Sequence, residues 1–294
     1  MAEAATACYG SPAAPRDATA PSMPCGRMPR KQARLRDAGD AERLRGVLPA
    51  ERTRVLCEAM IARKAARCGA SRCPRCWFPV DSSGTSYCVC AKMPPLRFGT
   101  RPRFLIYMHP RDWYNAGDDA KILLTAAPEA TELFIFGRPG DDQRLRQALD
   151  DAGPAALLLF PDAGALSVVE FLERRRGEAP TPPRVAQSSS AIVVLDGTWN
   201  NVKQMVRHFT RNISPGTPHV RLEPTELSVY ARTQTRSDGI SSVEAVALLL
   251  RSLGESDAVC SELVRYITIN NEALTLRGGF KQSDGATSDE ECGS

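Results

Sequence analysis

Apolar residues recur along this chain in two alternating rhythms. Short, mostly apolar runs at residues 104–108, 132–136, 155–160, 192–195 and 219–222 predict strands. Such unbroken runs suit strands buried on both faces. Between them the spacing shifts to a helical period, at residues 121–127, 141–149, 165–175 and 198–209. Two further helices are predicted at 241–253 and 258–268. Ahead of the first strand, Val55, Leu56, Ala59, Met60 and Ala62 predict an amphipathic helix within 49–67. Strands alternating with helices predict an α/β fold: a mainly parallel sheet with flanking helices. Ligands of such sheets bind beyond the carboxyl ends of the strands. Two strand ends therefore matter most. They are Phe160-Pro161-Asp162-Ala163-Gly164 and Asp196-Gly197-Thr198-Trp199.

The ends of the chain break this pattern. Residues 1–35 carry Pro12, Pro15, Pro21, Pro24 and Pro29 and few large apolar side chains, so a disordered basic tail is expected. Its acids are Glu3 and Asp17, against Arg16, Arg27, Arg30, Lys31 and Arg34. The same balance suits an organellar transit peptide. The expected compartment is cytoplasm or nucleus, with a mitochondrial address left open. Residues 277–294 read as an acidic disordered tail, and 177–190 as a Pro/Ser surface loop.

Composition adds limits. The 294 residues are 43% hydrophobic and 24% charged, close to a globular average, which excludes a wholly disordered chain. No run approaches the roughly 18 apolar residues of a membrane span. The net charge of +4 permits nucleic-acid binding without arguing for it.

Ten cysteines are present, five of them between Cys68 and Cys90. The N-terminus lacks the apolar core of a secretory signal, so clustered cysteines read as metal ligands before disulfides. Cys73-Pro74-Arg75-Cys76 is a C-x2-C pair, and Cys88-Val89-Cys90 a C-x-C pair. Each sets two sulfurs close together on a tight turn, as tetrahedral zinc needs. A structural zinc on Cys73, Cys76, Cys88 and Cys90 is expected, since four cysteines leave no open position for catalysis. Cys68 is an alternative ligand, and free or redox thiols are the alternative to a metal.

The Asp-Gly-Thr-Trp turn admits two readings. Thr198 or Asp196 can cap the following helix, Gly197 can supply a sharp turn and Trp199 can be core. From pattern alone, capping is the simpler reading. The turn also sits where α/β enzymes place ligands, and it joins a carboxylate to a large aromatic. That pairing suits a base acting on a stacked nucleobase.

Taken together, the chain resembles the DTW-domain family of tRNA-uridine aminocarboxypropyltransferases. The resemblance rests on the two cysteine pairs, His109-Pro110, Leu158-Leu159-Phe160-Pro161 and Asp196-Gly197-Thr198-Trp199. It continues through Ser228-x-Tyr230 and Ser241-Ser242-Val243-Glu244-Ala245. Ser242 stands where the family has threonine, and Asp112 is the nearest acid where the family carries a glutamate after the His-Pro pair. Membership implies a fold related to the knotted SPOUT methyltransferases; the cysteine spacing adds a small N-terminal four-cysteine zinc module to it. It implies S-adenosylmethionine as donor and tRNA as partner. The 3-amino-3-carboxypropyl group would pass to N3 of a uridine, releasing methylthioadenosine.

On that basis Asp196 is the candidate base and Trp199 the stacking surface, with Thr198 holding Asp196. The backbone of Leu159, Phe160, Pro161, Gly164, Leu195 and Gly197 is expected to hold the donor's adenosine. Arg232 is the candidate for its carboxylate. Ser228 and Tyr230 are candidates for donor or RNA contact, or for packing. Arginines around the cysteines (Arg63, Arg67, Arg72, Arg75, Arg97, Arg101, Arg103) and Lys64 are candidate phosphate contacts. The expected organisation is a tail at 1–35, a helix and zinc module at 36–100, an α/β catalytic domain at 101–276 and a tail at 277–294. The competing readings are a non-catalytic zinc-dependent RNA-binding protein and a related transferase acting on ribosomal RNA.

Overall fold

The computed structural model describes residues 38–49, 51–80, 87–178, 190–222 and 240–276. Both expected tails, most of the Pro/Ser loop, and Ser228, Tyr230 and Arg232 lie outside the described residues.

Five parallel strands form one sheet in the order β2-β1-β4-β3-β5. They are β1 (Arg103–Met108), β2 (Thr131–Ile135), β3 (Ala156–Leu159), β4 (Ala191–Asp196) and β5 (His219–Val220). Every expected strand is present. Because all run one way, their carboxyl ends share one edge, where Met108 lies opposite Asp196. The chain moves outward from β1 to β2, then crosses to β3 on the far side, with β4 between β1 and β3. Such a reversal opens a crevice at that edge.

The helices are α1 (Ala38–Arg43), α2 (Arg52–Cys68), α3 (Ile122–Ala126), α4 (Asp141–Ala152), α5 (Val168–Glu178), α6 (Trp199–His208), α7 (Ser242–Ser252) and α8 (Asp257–Leu276). Three departures from the expected bounds have a visible physical cause. The helix expected from residue 165 begins at Val168, because Leu166 is spent on β5. Its amide bonds the His219 carbonyl and its carbonyl accepts from the Arg221 amide. The helix expected to close at Phe209 ends at His208 and widens into a π-turn, Phe209–Ile213, which buries both terminal side chains. The last helix runs on to Leu276, since no Gly or Pro interrupts it and Ile269 and Leu274 are still buried.

The strands sort their side chains by parity. Phe104, Ile106 and Met108 of β1, Leu157 of β3, and Ile192 and Val194 of β4 face one layer, with α3, α7, α8 and the cysteine module. Leu105 and Tyr107, Leu158, and Val193 and Leu195 face the other, with α4 and α6. Burial on both faces is why the runs read as continuously apolar. No helix among the described residues is long and apolar enough to cross a membrane.

Candidate active site and metal centre

The parity that builds the core also places the site. Asp196 continues the register of Ile192 and Val194, so its carboxyl enters the α7–α8 layer and is only 7% exposed. There it joins Asp118 and Asp119, from the segment before α3. The three carboxylates offer oxygens within 4.8 Å of one another, and all are buried. Asp118 and Asp196 each keep a buried Oδ2 with no hydrogen-bond partner among the described residues. Burial, then the charge of Asp118, pushes Asp196 well above the usual carboxylate range. Burial likewise raises Asp118, to about 7.

Asp119 is held differently. Its Oδ2 accepts the Val243 amide at 2.9 Å, and Ser241 also bonds it. Ser241 meanwhile forms a capping box with Glu244 at the start of α7. The Ser241 hydroxyl accepts from the Glu244 amide (3.2 Å) and Glu244 accepts from the Ser241 amide (2.7 Å). The Ser-Ser-Val-Glu-Ala segment is thus a helix cap docked on a buried carboxylate. Lys121 supplies the positive charge in this layer. Its buried ammonium donates to the carbonyls of Ala116 and Asp118 and to Asn270 Oδ1.

His109 follows β1 with the opposite parity and enters the α6 layer. Its amide bonds the Asp196 carbonyl at 2.8 Å. Its ring stacks on Phe136. Nδ1 lies 3.2 Å from the Arg111 amide that donates to it and 3.3 Å from the Asn201 amide nitrogen. Burial first, then the charges of Arg111 and Lys64, lowers its pKa to about 4, so the ring is neutral with its proton on Nε2.

Gly197 makes the turn between the layers. A Cβ there would stand 3.2 Å from the Cβ of His109. Thr198 occupies the cap position of α6 and is exposed, but its side chain makes no cap bond. The side-chain capping expected of Thr198 or Asp196 is therefore corrected: the Asp196 carboxyl lies with those of Asp118 and Asp119 instead. Trp199 meets Phe160, ring centres 6.3 Å apart, and Phe160 packs on the α6 layer. The structure thus brings Phe160 and Trp199 together and separates them from the Asp196 carboxyl across the sheet edge.

The loop after β3 is shaped from within. The Phe160 amide is used by the Val220 carbonyl, and the Gly164 amide by Asp162 Oδ1 (3.0 Å). His219 Nδ1 grips the other oxygen of Asp162. Pro161 and Gly164 are exposed, Leu159 half-buried, and Leu195 buried in register with Tyr107. A cavity of about 370 Å³ between α4, α5 and the Ser214–Pro218 turn lies at the amino end of β3, away from this edge.

The chain belongs to the DTW-domain family. The DTW-domain profile matches residues 70–274. This is the domain of tRNA-uridine aminocarboxypropyltransferases, so the chain is a member of a family of tRNA-modifying transferases that depend in general on S-adenosylmethionine. Comparison with curated proteins and with solved structures gives no match.

The DTW match includes the cysteine pairs. Sγ atoms of Cys73 and Cys90, Cys76 and Cys88, and Cys73 and Cys88 each lie 3.6 Å apart. Zinc–sulfur bonds of about 2.3 Å give tetrahedral edges of about 3.8 Å, so this set fits the metal. A knuckle turn shapes it, with the Trp77 amide on the Cys73 carbonyl, the Cys73 amide on the Phe78 carbonyl, and Trp77 at φ 56°. Cys68 ends α2, buried and outside this group. Trp77, Phe78, Val89 and Met93 of the module bury into the same core as the strands.

Several candidate phosphate contacts have internal duties. Arg63 pairs with Asp40 at 2.7 Å and Arg103 with Glu132 at 2.9 Å. Lys64 donates to the Arg111 and Trp113 carbonyls, and Arg72 to that of Trp77. Sequence reasoning missed Asp118, Asp119, Lys121 and His219. The signal for the first three was two adjacent acids and a lysine just before an apolar helix, a pattern that reads as an ordinary solvated turn.

Proposed function

We propose that this protein transfers the 3-amino-3-carboxypropyl group of S-adenosylmethionine to N3 of a uridine in tRNA, giving the aminocarboxypropyl uridine and methylthioadenosine. The DTW match over residues 70–274, with its Asp-Gly-Thr-Trp turn at the open edge of a central strand, carries this reading.

The donor's sulfonium activates three carbons, and selection among them is a matter of aim. In the productive arrangement the uridine N3 attacks the aminocarboxypropyl carbon, the carbon–sulfur bond breaks, and neutral methylthioadenosine leaves. The N3 proton must go to a base. Asp196 is that base in our reading, and its raised pKa suits the task, because a carboxylate tuned towards neutrality takes a proton more readily. Trp199 and Phe160, across the sheet edge from the Asp196 carboxyl, form the aromatic surface for the donor's adenine ring. The exposed backbone around Pro161 and Gly164 and the half-buried Gly197 face the donor in this reading, with Leu159 and Leu195 holding them in place, while Thr198 lines the turn. Ser228, Tyr230 and Arg232 remain our candidates for donor or RNA contact. Zinc on Cys73, Cys76, Cys88 and Cys90 would fold the module and take no part in the chemistry. The SPOUT-like relation and the division into zinc module and catalytic domain belong to this same reading.

Incubation with unmodified tRNA and S-adenosylmethionine, followed by mass spectrometry of the nucleosides, tests it. An aminocarboxypropyl mass increment on uridine is expected. A methyl increment, or none, sinks the reading, and modification of ribosomal RNA in place of tRNA redirects it.

A further inference from the structure

Resting on that reading for its catalytic consequence, we infer that Asp118 and Asp196 form a single carboxyl pair holding one proton, with Asp118 the positioning residue for Asp196. The geometry demands the proton. Two ionised carboxylates repel and can only accept, so two buried carboxyls whose oxygens lie within 4.8 Å of each other are reconciled by a proton on one of them. The second oxygen of each, Oδ2, is buried without a hydrogen-bond partner among the described residues. A fully ionised pair would leave those oxygens desolvated and unpaired, whereas a shared proton removes one charge.

The surroundings reinforce this. Asp119 adds a negative charge, but it is matched by the Val243 amide, Ser241 and Lys121. Lys121 is itself saturated by two carbonyls and Asn270 from α8. Asp112 adds a further negative charge towards both members of the pair. Lys64 of α2 faces Asp112 and Asp118. Neutral His109 sits behind the backbone of Asp196, and Glu244 of α7 is turned back to cap its own helix. Among the described residues acids thus outnumber bases around the pair, and a retained proton restores the balance.

The pair gives Asp118 a defined role in the transfer. It keeps the Asp196 carboxyl at the edge of β4 in one orientation and raises its basicity, without touching uridine or donor. Asn at 118 would donate a hydrogen bond to Asp196 without carrying the titrating proton, and Ala would supply neither.

Infrared difference spectroscopy of the zinc-loaded full chain without substrate tests the pair. A protonated-carboxyl band should be present at neutral pH and vanish as pH rises. It should also be absent from both Asp118→Asn and Asp196→Asn. Absence of the band from the wild type at neutral pH, or its persistence in both variants, overturns the inference. The wild-type titration requires no variant to fold. The pH profile of transfer tests the positioning role. Asp118→Asn should move the rising limb to lower pH by about one unit, a roughly tenfold gain in relative rate on the acid side. Asp118→Ala should lose at least about tenfold at every pH. Identical profiles for wild type and Asp118→Asn remove the role. If the wild type makes no aminocarboxypropyl uridine but shows the band, the functional reading fails and the carboxyl pair stands.

Discussion

At the end of β4 a single residue step separates two opposite environments. Asp196 turns into one layer and is raised by burial among acids, while His109, bonded to its backbone, turns into the other and is lowered by burial beside cations. Gly197 lets the two lie back to back. Gly197→Ala would press a Cβ to 3.2 Å from that of His109, so the turn must shift by a few tenths of an ångström. The expected result is a folded protein with transfer reduced at least about tenfold, read by single-turnover assay. Asp196→Asn should reduce transfer by about 100-fold or more with donor binding retained, as calorimetry and nucleoside mass spectrometry would show. Unchanged turnover would remove Asp196 as the base.

Whole elements are docked by few residues. α7 is anchored at its start by the Ser241–Glu244 capping box and by Asp119, so a motif that the family resemblance picked out has a direct structural use. Ser241→Ala should cost about 1 kcal/mol of stability in urea denaturation, with the Asp119 bond to Val243 still in place. At the other side of the sheet, Gly137 (φ +79°) follows β2 and lies against α2. A Cβ there would come within 2.5 Å of the Cys57 Cβ. Gly137→Ala should therefore cost about 1–3 kcal/mol, because both the left-handed backbone and the contact oppose it. The elements themselves were legible in the sequence, since apolar runs and helical spacing follow from burial alone. Their bounds were less so. The start of α5 was displaced by a strand bridge, and α8 ran eight residues past the expected residue 268, to Leu276, without a breaking residue.

For the molecule as a whole, the cysteine module and the buried carboxyl group set the response to metal and pH. Chelation of zinc should lower the melting temperature sharply, because the module's Trp77 and Phe78 belong to the main core. An unchanged melting temperature on metal removal would sink the structural-zinc assignment. The pH response has two opposing parts. Asp118, raised to about 7, and Asp196, raised well above the usual range, retain when folded a proton that unfolded aspartates release near 4, so the pair makes stability fall as pH rises above that value. His109 is depressed to about 4 when folded and titrates near 6.5 when unfolded, so it makes stability rise over that interval. Asp118→Asn removes Asp118's share of the first part, and its stability should decline less between about pH 5 and pH 7 than that of the wild type, by denaturation at each pH.

The sequence by itself determined the α/β architecture, the four-cysteine cluster and the Asp-Gly-Thr-Trp turn. All three depend on patterns written over neighbouring residues: apolar runs, ligand spacing, and a motif at a strand end. Only the tertiary structure decided what Asp196 touches. Its partners Asp118 and Asp119 lie far back along the chain, before α3, and its parity in β4 carries it into their layer and away from Trp199. Whether an acid is a solvated turn residue or half of a buried pair depends on what packs above it, and packing between distant segments leaves no local pattern to read.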